Sequence, residues 1–212
     1  KPIGRKPIDT RALPIERLDD IINGVGRSLK TGAKIFWICP LVEESEKVDL
    51  AAAEDRHAHL SKIFGAQVGL IHGRMKATEK DAAMEAFTNG DVKILVATTV
   101  IEVGVDVPDA NVMVIEHAER FGLAQLHQLR GRIGRGDQAS NCLLLYAQPL
   151  GKTAQARLKV MRDTEDGFII AEEDLKLRGA GELLGTRQSG MAEFRLADLA
   201  VHGDILAIAR DD

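Results

Sequence analysis

The chain has 212 residues, 45% hydrophobic and 28% charged, and its 28 Lys and Arg against 32 Asp and Glu leave a net charge of −4. This balance excludes disordered and collagen-like chains. Its apolar runs reach only five or six residues, too few for a membrane-spanning helix, and the length fits one domain with an appendage. A net negative charge speaks against binding nucleic acid, but the charge is zoned. Arg130 to Arg162 carries seven bases against Asp137 alone, a local +6 that leaves −10 for the remainder, and Asp163 to Asp174 holds six acids and no base.

Residues 1–30 read as a linker leading into the domain. They open Lys1-Pro-Ile-Gly-Arg-Lys-Pro-Ile8, an extended pattern, and a first residue other than Met is expected of a piece cut from a longer protein. From Lys34 onward, short β-rich apolar runs alternate with helical patterns, the signature of a parallel sheet with crossover helices. Strands are predicted at Lys34–Cys39, Gln67–Ile71, Lys93–Ala97, Val112–Glu116 and Cys142–Ala147. Helices are predicted at Glu46–Phe64, Thr78–Thr88, Leu123–Arg132 and Thr153–Asp163. Thr78-Glu-Lys-Asp81 reads as a helix start with Thr78 as N-cap, and Asn89-Gly90 as that helix's end.

These elements predict an α/β domain with a parallel sheet and flanking helices over residues 31–151. In 152–212 the strand signal stops. Lys152–Arg162 and Phe168–Arg178 form a helical hairpin around Asp166-Gly167, followed by Arg178–Gly190 with four glycines in thirteen residues and an amphipathic stretch at Leu196–Ala209. Glycine at that density suits a loop in close approach to another backbone. Cys39 and Cys142 sit in apolar runs and are expected as buried thiols in a reducing, cytoplasmic setting. The six His have no zinc-ligand spacing, so no metal site is predicted.

Three motifs bear on chemistry. Gly151-Lys152-Thr153 follows a strand and opens a helix, the context of a phosphate-binding loop, but the glycine that should close the loop is Tyr146 and Pro149 removes an amide donor. It reads as a decoy, and Glu172-Glu173-Asp174 reads as a solvated helix face rather than a Mg²⁺ site. Gln128-Leu-Arg-Gly-Arg-Ile-Gly-Arg-Gly136 places three arginines within six residues. On a helix, Gln128, Arg132 and Arg135 would share one face, and their guanidinium forks suit phosphate oxygens. Gly131 and Gly134 each cost about 1 kcal/mol against Ala in a helix, which points to something large coming close. Ahead of them, Ala97-Thr98-Thr99 puts hydroxyls at the carboxyl edge of the sheet, and Gly104 and Asp106 form a turn whose carboxylate could accept a sugar hydroxyl.

Together these segments resemble superfamily 2 helicases. Ala97–Asp106 is similar to motif V, Gln128–Gly136 to motif VI, Lys34–Pro40 to motif IV, and Ile71-His-Gly-Arg-Met75 to the segment that follows it. Asp166–Gly190 resembles the translocation motif shared by RecG-type helicases and transcription-repair coupling factor; the Gly-Thr-Arg-Gln-Ser-Gly190 ending and the 22 residues after it favour the RecG type. The resemblance implies a RecA-like second motor domain, facing a first that carries the P-loop and holds most of the ATP and Mg²⁺. It implies Arg132 and Arg135 at the γ-phosphate, with Arg135 as the finger, Gln128 orienting water or the arginines, and Gly104 and Asp106 at the nucleotide. It also implies His72, Arg74, Thr98 and Thr99 as DNA-backbone contacts, and Arg157, Arg178 and Gln188 as couplers of nucleotide state to movement. The implied partners are branched or double-stranded DNA and the N-terminal motor and wedge domains of the same protein, with the whole a monomer inactive in this piece alone. The coupling factor's translocase module, a self-contained P-loop enzyme at Lys152 and a stand-alone nucleic-acid-binding module are the alternatives.

Overall fold

The computed structural model describes residues 7–40, 46–98, 110–134 and 139–183. Within them, six parallel strands form one sheet: β1 (Ile8–Pro14), β2 (Ile35–Cys39), β3 (Val68–Ile71), β4 (Ile94–Thr98), β5 (Val112–Ile115) and β6 (Ser140–Tyr146). They lie in the order β1-β6-β5-β2-β4-β3. The helices are α1 (Leu18–Lys30), α2 (Glu46–Phe64), α3 (Ala77–Asn89), α4 (Leu123–Arg130), α5 (Lys152–Asp163) and α6 (Gly167–Leu183). The predicted RecA-like α/β architecture is present, with the five predicted strands, β2 to β6, bounded within two residues of expectation.

β2, β4 and β5 are buried along their whole length, which is why they read as continuous Val/Ile/Leu runs rather than alternating patterns. Their side chains still alternate between two cores. Ile35, Trp37, Cys39, Ile94, Val96, Val112 and Val114 face α1 and α2, joining Ile21, Ile22, Val25, Leu29, Ala53 and Leu60. Phe36, Ile38, Leu95, Ala97, Met113 and Ile115 face the other way, against Phe87 of α3, Leu123 and Leu126 of α4, Leu158 of α5 and Ile170 of α6. Each such side chain stabilises the fold by about 1.5–3 kcal/mol relative to exposure.

The segment predicted as a linker is structured from Ile8. β1 pairs with β6 from Ile8↔Ser140 to Pro14↔Tyr146 and closes one edge of the sheet. Its alternation begins buried at Ile8 and Thr10 and exposed at Asp9 and Arg11, the period of a half-covered strand. α1 then buries Ile21, Ile22, Val25 and Leu29 at helical spacing. The start of α3 also differs: Lys76, not Thr78, is the N-cap, and Glu79 rather than Asp81 reaches back to accept its N–H at 2.8 Å. Gly90 ends α3 as predicted, in the left-handed conformation at φ 89°.

Candidate functional site

The sheet separates the candidate residues into two groups at opposite edges. At the carboxyl edge, β3 ends with Ile71 opposite Ala97, and Thr98 of β4 lies opposite Cys39 of β2. One step beyond Ile71 puts His72 beside Thr98, and Glu116, whose N–H donates to Ile38 O at 2.9 Å, continues the row past Cys39. His72 Nδ1 and Thr98 Oγ1 are both buried with no hydrogen-bond partner. A buried polar atom left unmade costs about 1–3 kcal/mol; Ser140 Oγ and Arg157 Nε are orphaned too, but His72 and Thr98 are the two that share adjacent strand ends. A hydroxyl can donate to a phosphate oxygen, as can an imidazole in the tautomer protonated at Nδ1. Arg74 stands exposed in the turn after His72, which Met75 closes by donating its N–H to His72 O at 3.2 Å.

The arginine segment lies at the amino edge. α4 stops at Arg130 instead of continuing to Arg132. Beyond it the backbone tightens, with Arg132 N–H donating to Leu129 O at 3.0 Å and Ile133 N–H to Arg130 O at 3.4 Å. Exposed Gln128 is on the helix and half-buried Arg132 is in the turn after it, so the two are not i,i+4 neighbours of one regular helix. Gly134 then turns left-handed at φ 76° and donates its N–H to Ala110 O at 3.3 Å, just ahead of β5.

The glycines have a local explanation that sequence reasoning missed. A Cβ on Gly134 would come within 3.2 Å of Ser140 Oγ and 3.3 Å of Ile8, and one on Gly131 within 3.2 Å of Gln128 O. The close approach is made by the chain itself, where the arginine turn docks on the first residues of β1 and β6.

Two further arginines brace this segment to the hairpin. Arg130, 2% exposed, donates through Nη1 to Met161 O at 2.6 Å and Thr164 O at 3.0 Å, gripping the last turn of α5. From the other side, Arg157 of α5 donates to Phe121 O at 2.6 Å, just before α4. Arg157 is therefore held against the arginine helix rather than solvated. Arg130 was passed over because it reads as one base among several; its position four residues after buried Leu126 was the available signal.

Thr99, Gly104, Asp106, Arg135 and Gln188, and the side chain of Arg178, lie outside the described residues. Gly151 caps α5 and accepts Gln155 N–H at 3.0 Å, with Lys152 exposed behind it. The preceding Ala147 N–H is taken by Glu119 Oε2 at 3.2 Å, an acid where a phosphate loop needs free amides. Glu172 and Glu173 pair with Lys176 at 3.0 and 2.9 Å on the surface of α6. Among the described residues no cluster of His, Cys, Asp or Glu could hold a metal ion, and no helix is long and apolar enough to cross a membrane.

Residues 14–137 match the model of the helicase conserved C-terminal domain, and residues 164–212 match the C-terminal part of domain 3 of ATP-dependent DNA helicase RecG. The chain belongs to the helicase C-terminal domain family. It is 57% identical over 200 residues to ATP-dependent DNA helicase RecG of Escherichia coli K12, covering 93% of this chain and 29% of that protein. Identity to the protein of the same name from Acidithiobacillus ferridurans is 55%, over 98% of this chain and 30% of the relative, and to that from Bacillus subtilis 48%, over 100% and 31%. The chain thus spans under a third of the curated relatives it matches. The solved structure of RecG bound to a three-way DNA junction superposes with a TM-score of 0.74 at 44% identity, covering 97% of this chain and 26% of that one. Saccharomyces cerevisiae Dbp5 bound to RNA and ADP BeF3 shares the fold, with a TM-score of 0.56 at 15% identity over 81% of this chain and 46% of that one.

This helicase domain also buries a charge cluster absent from the sequence reading. Glu116 is 6% exposed. It accepts Trp37 Nε1–H at 2.5 Å and a two-pronged contact from Arg56 of α2, through Nε to Oε1 and through Nη2 to Oε2 at 3.1 Å. The Arg56 guanidinium also lies 5.8 Å from the Trp37 ring centroid. Burial, with the Glu116 charge added, raises the Cys39 thiol, and burial pushes Cys142 up to about 12. Both thiols are protonated structural groups at neutral pH.

Proposed function

We propose that this chain is the second motor domain and translocation segment of an ATP-dependent DNA helicase that remodels branched DNA, including stalled forks and Holliday junctions, in repair and recombination. The observation that carries the reading is the pair of orphaned polar atoms, His72 Nδ1 and Thr98 Oγ1, on adjacent strand ends. With Arg74 beside them they form a row suited to a phosphate backbone, which is gripped without reading sequence, and Thr99, the next residue in the sequence, would add a second hydroxyl. The likeness to a RecG structure holding a three-way junction supports branched DNA as the substrate.

ATP supplies the phosphoryl group whose transfer drives movement, and a first motor domain with the P-loop would hold most of it and its Mg²⁺. The residues here fit the opposite side of such a nucleotide. Arg132 and Arg135 keep their charge at any working pH and suit a terminal phosphate; Gln128 is exposed to orient water or the arginines, Asp106 would meet the ribose, and Gly104 would lie at the nucleotide. Arg157, Arg178 and Gln188 would link the hairpin and glycine-rich loop to the arginine segment. The grip of Arg130 and Arg157 supports that role, since it fastens α4 to α5. The rest of the reading is a cytoplasmic monomer in which residues 8–151, with β1 and α1 included, are the motor domain, 152–212 couple it to DNA, and the partners are the first motor and wedge domains of the same protein.

In the full-length protein, Arg135→Ala is expected to lower DNA-stimulated ATP hydrolysis about a thousand-fold or more, the range of arginine fingers. Full activity in that variant would overturn the finger assignment. ATP hydrolysis by the 212 residues alone, lost on Lys152→Ala, would overturn the two-domain reading.

A further inference from the structure

The two functional groups sit at opposite edges of the sheet and on opposite sides of its centre. His72, Arg74 and Thr98 belong to the α2–β3–α3–β4 half, while Gln128 and Arg132 follow β5. β2 lies between the halves, and the crossovers on either side of it run in opposite directions, so its carboxyl end is the topological switch point. The buried cluster of Glu116, Arg56 and Trp37 occupies that point.

Its connectivity is unusual for a stabilising feature. Arg56 comes from α2, the helix that leads into β3 and His72. Glu116 ends β5 and begins the path into α4. Trp37 comes from β2, and Cys39, two residues on, is the register partner of Thr98. One ion pair therefore joins the element ahead of the proposed DNA contacts to the element ahead of the arginine turn. A buried ion pair of this kind adds little stability over an apolar replacement of the same shape, but its forked geometry fixes the orientation of the two elements it joins.

We infer that Glu116 and Arg56 are positioning residues that hold the DNA-contacting strand ends and the α4 arginine segment in one arrangement, so that occupancy of the first is felt at the second. This rests on the helicase reading and deepens it. Glu116 is buried and paired with Arg56, so both would act through the elements they clamp rather than by direct contact.

The test uses the full-length protein with Glu116→Gln, which keeps an acceptor for the Trp37 indole but loses the charge. Arg56→Lys, which keeps the charge but loses the fork, provides an independent second variant. Both are expected to lower the DNA-saturated kcat for ATP about ten-fold while the half-saturating DNA concentration stays within about two-fold, the signature of lost coupling rather than lost contact. Thermal unfolding measured alongside is expected to drop too little to account for that loss at the assay temperature. An unchanged DNA-saturated kcat in both variants, or a loss that follows unfolding, would overturn the inference. Absence of DNA-stimulated hydrolysis in the unmutated protein would instead overturn the helicase reading, so the two failures are distinguishable.

Discussion

The carboxyl edge and the Arg130 grip at the α4–α5 junction treat buried polar atoms in opposite ways, although Arg157 Nε beside that grip is also buried without a partner. At the junction, Arg130 is almost fully buried, and its Nη1 reaches two backbone carbonyls that would otherwise end α5 unsatisfied. At the edge, His72 Nδ1 and Thr98 Oγ1 are equally shut off from solvent and reach nothing. Satisfied burial builds structure; unsatisfied burial is a cost that a ligand can repay. The difference predicts that mutations at the junction register mainly as stability and mutations at the edge mainly as binding.

The largest effect should come from the junction. Arg130→Met keeps the apolar stem but strips Met161 O and Thr164 O of their donor, and is expected to cost about 3 kcal/mol, read as a shift in the denaturant midpoint. A loss below 0.5 kcal/mol on the same measurement would mean the grip is not structural. Next is Gly134→Ala. It forces a Cβ into a left-handed residue against Ser140 and Ile8, for an expected loss of about 1–3 kcal/mol. If glycine is instead there to admit a ligand, stability will hold and only nucleotide-dependent activity will fall.

The two thiols sharpen the same contrast through pH. The folded-state value of Cys142 is raised from 9.0 to about 12, so the folded state holds its proton where the unfolded chain releases it. The contribution is complete below pH 9.0 and is lost as pH rises toward 12; at pH 10 it amounts to about 1 kcal/mol of destabilisation. Urea melts across this range check it, and native thiol labelling at pH 8 should be negligible at both cysteines. Lys152→Ala should do least of all. The side chain is exposed at the first turn of α5, and stability and nucleotide affinity should stay within about 0.5 kcal/mol.

Most of the sheet was legible because β2, β4 and β5 are continuous apolar runs, even where helix ends were misplaced by a residue or two, as at the start of α3 and the end of α4. β1 was not, since Pro7, Asp9 and Arg11 give an edge strand the look of a linker, and its inward Thr10 is polar. The reading of α1 failed for a different reason. Its Ile21, Ile22, Val25 and Leu29 spacing was visible but was absorbed into the presumed linker. The arginine segment was recognised, yet the meaning of its glycines was not, because the partners of Gly134 are Ile8 and Ser140, distant in sequence and brought close only by the β1–β6 pairing. Glu116 escaped notice because a carboxylate after an apolar strand looks like its exposed end; only the fold brings Arg56 and Trp37 to it.

Thr98→Val in the full-length protein tests the contrast most directly, because it removes the orphaned hydroxyl and keeps the shape. The account predicts a thermal midpoint equal to or above that of the unmutated protein, together with weaker binding of a branched DNA probe at an unchanged salt dependence. A lower midpoint with unchanged DNA binding would contradict it.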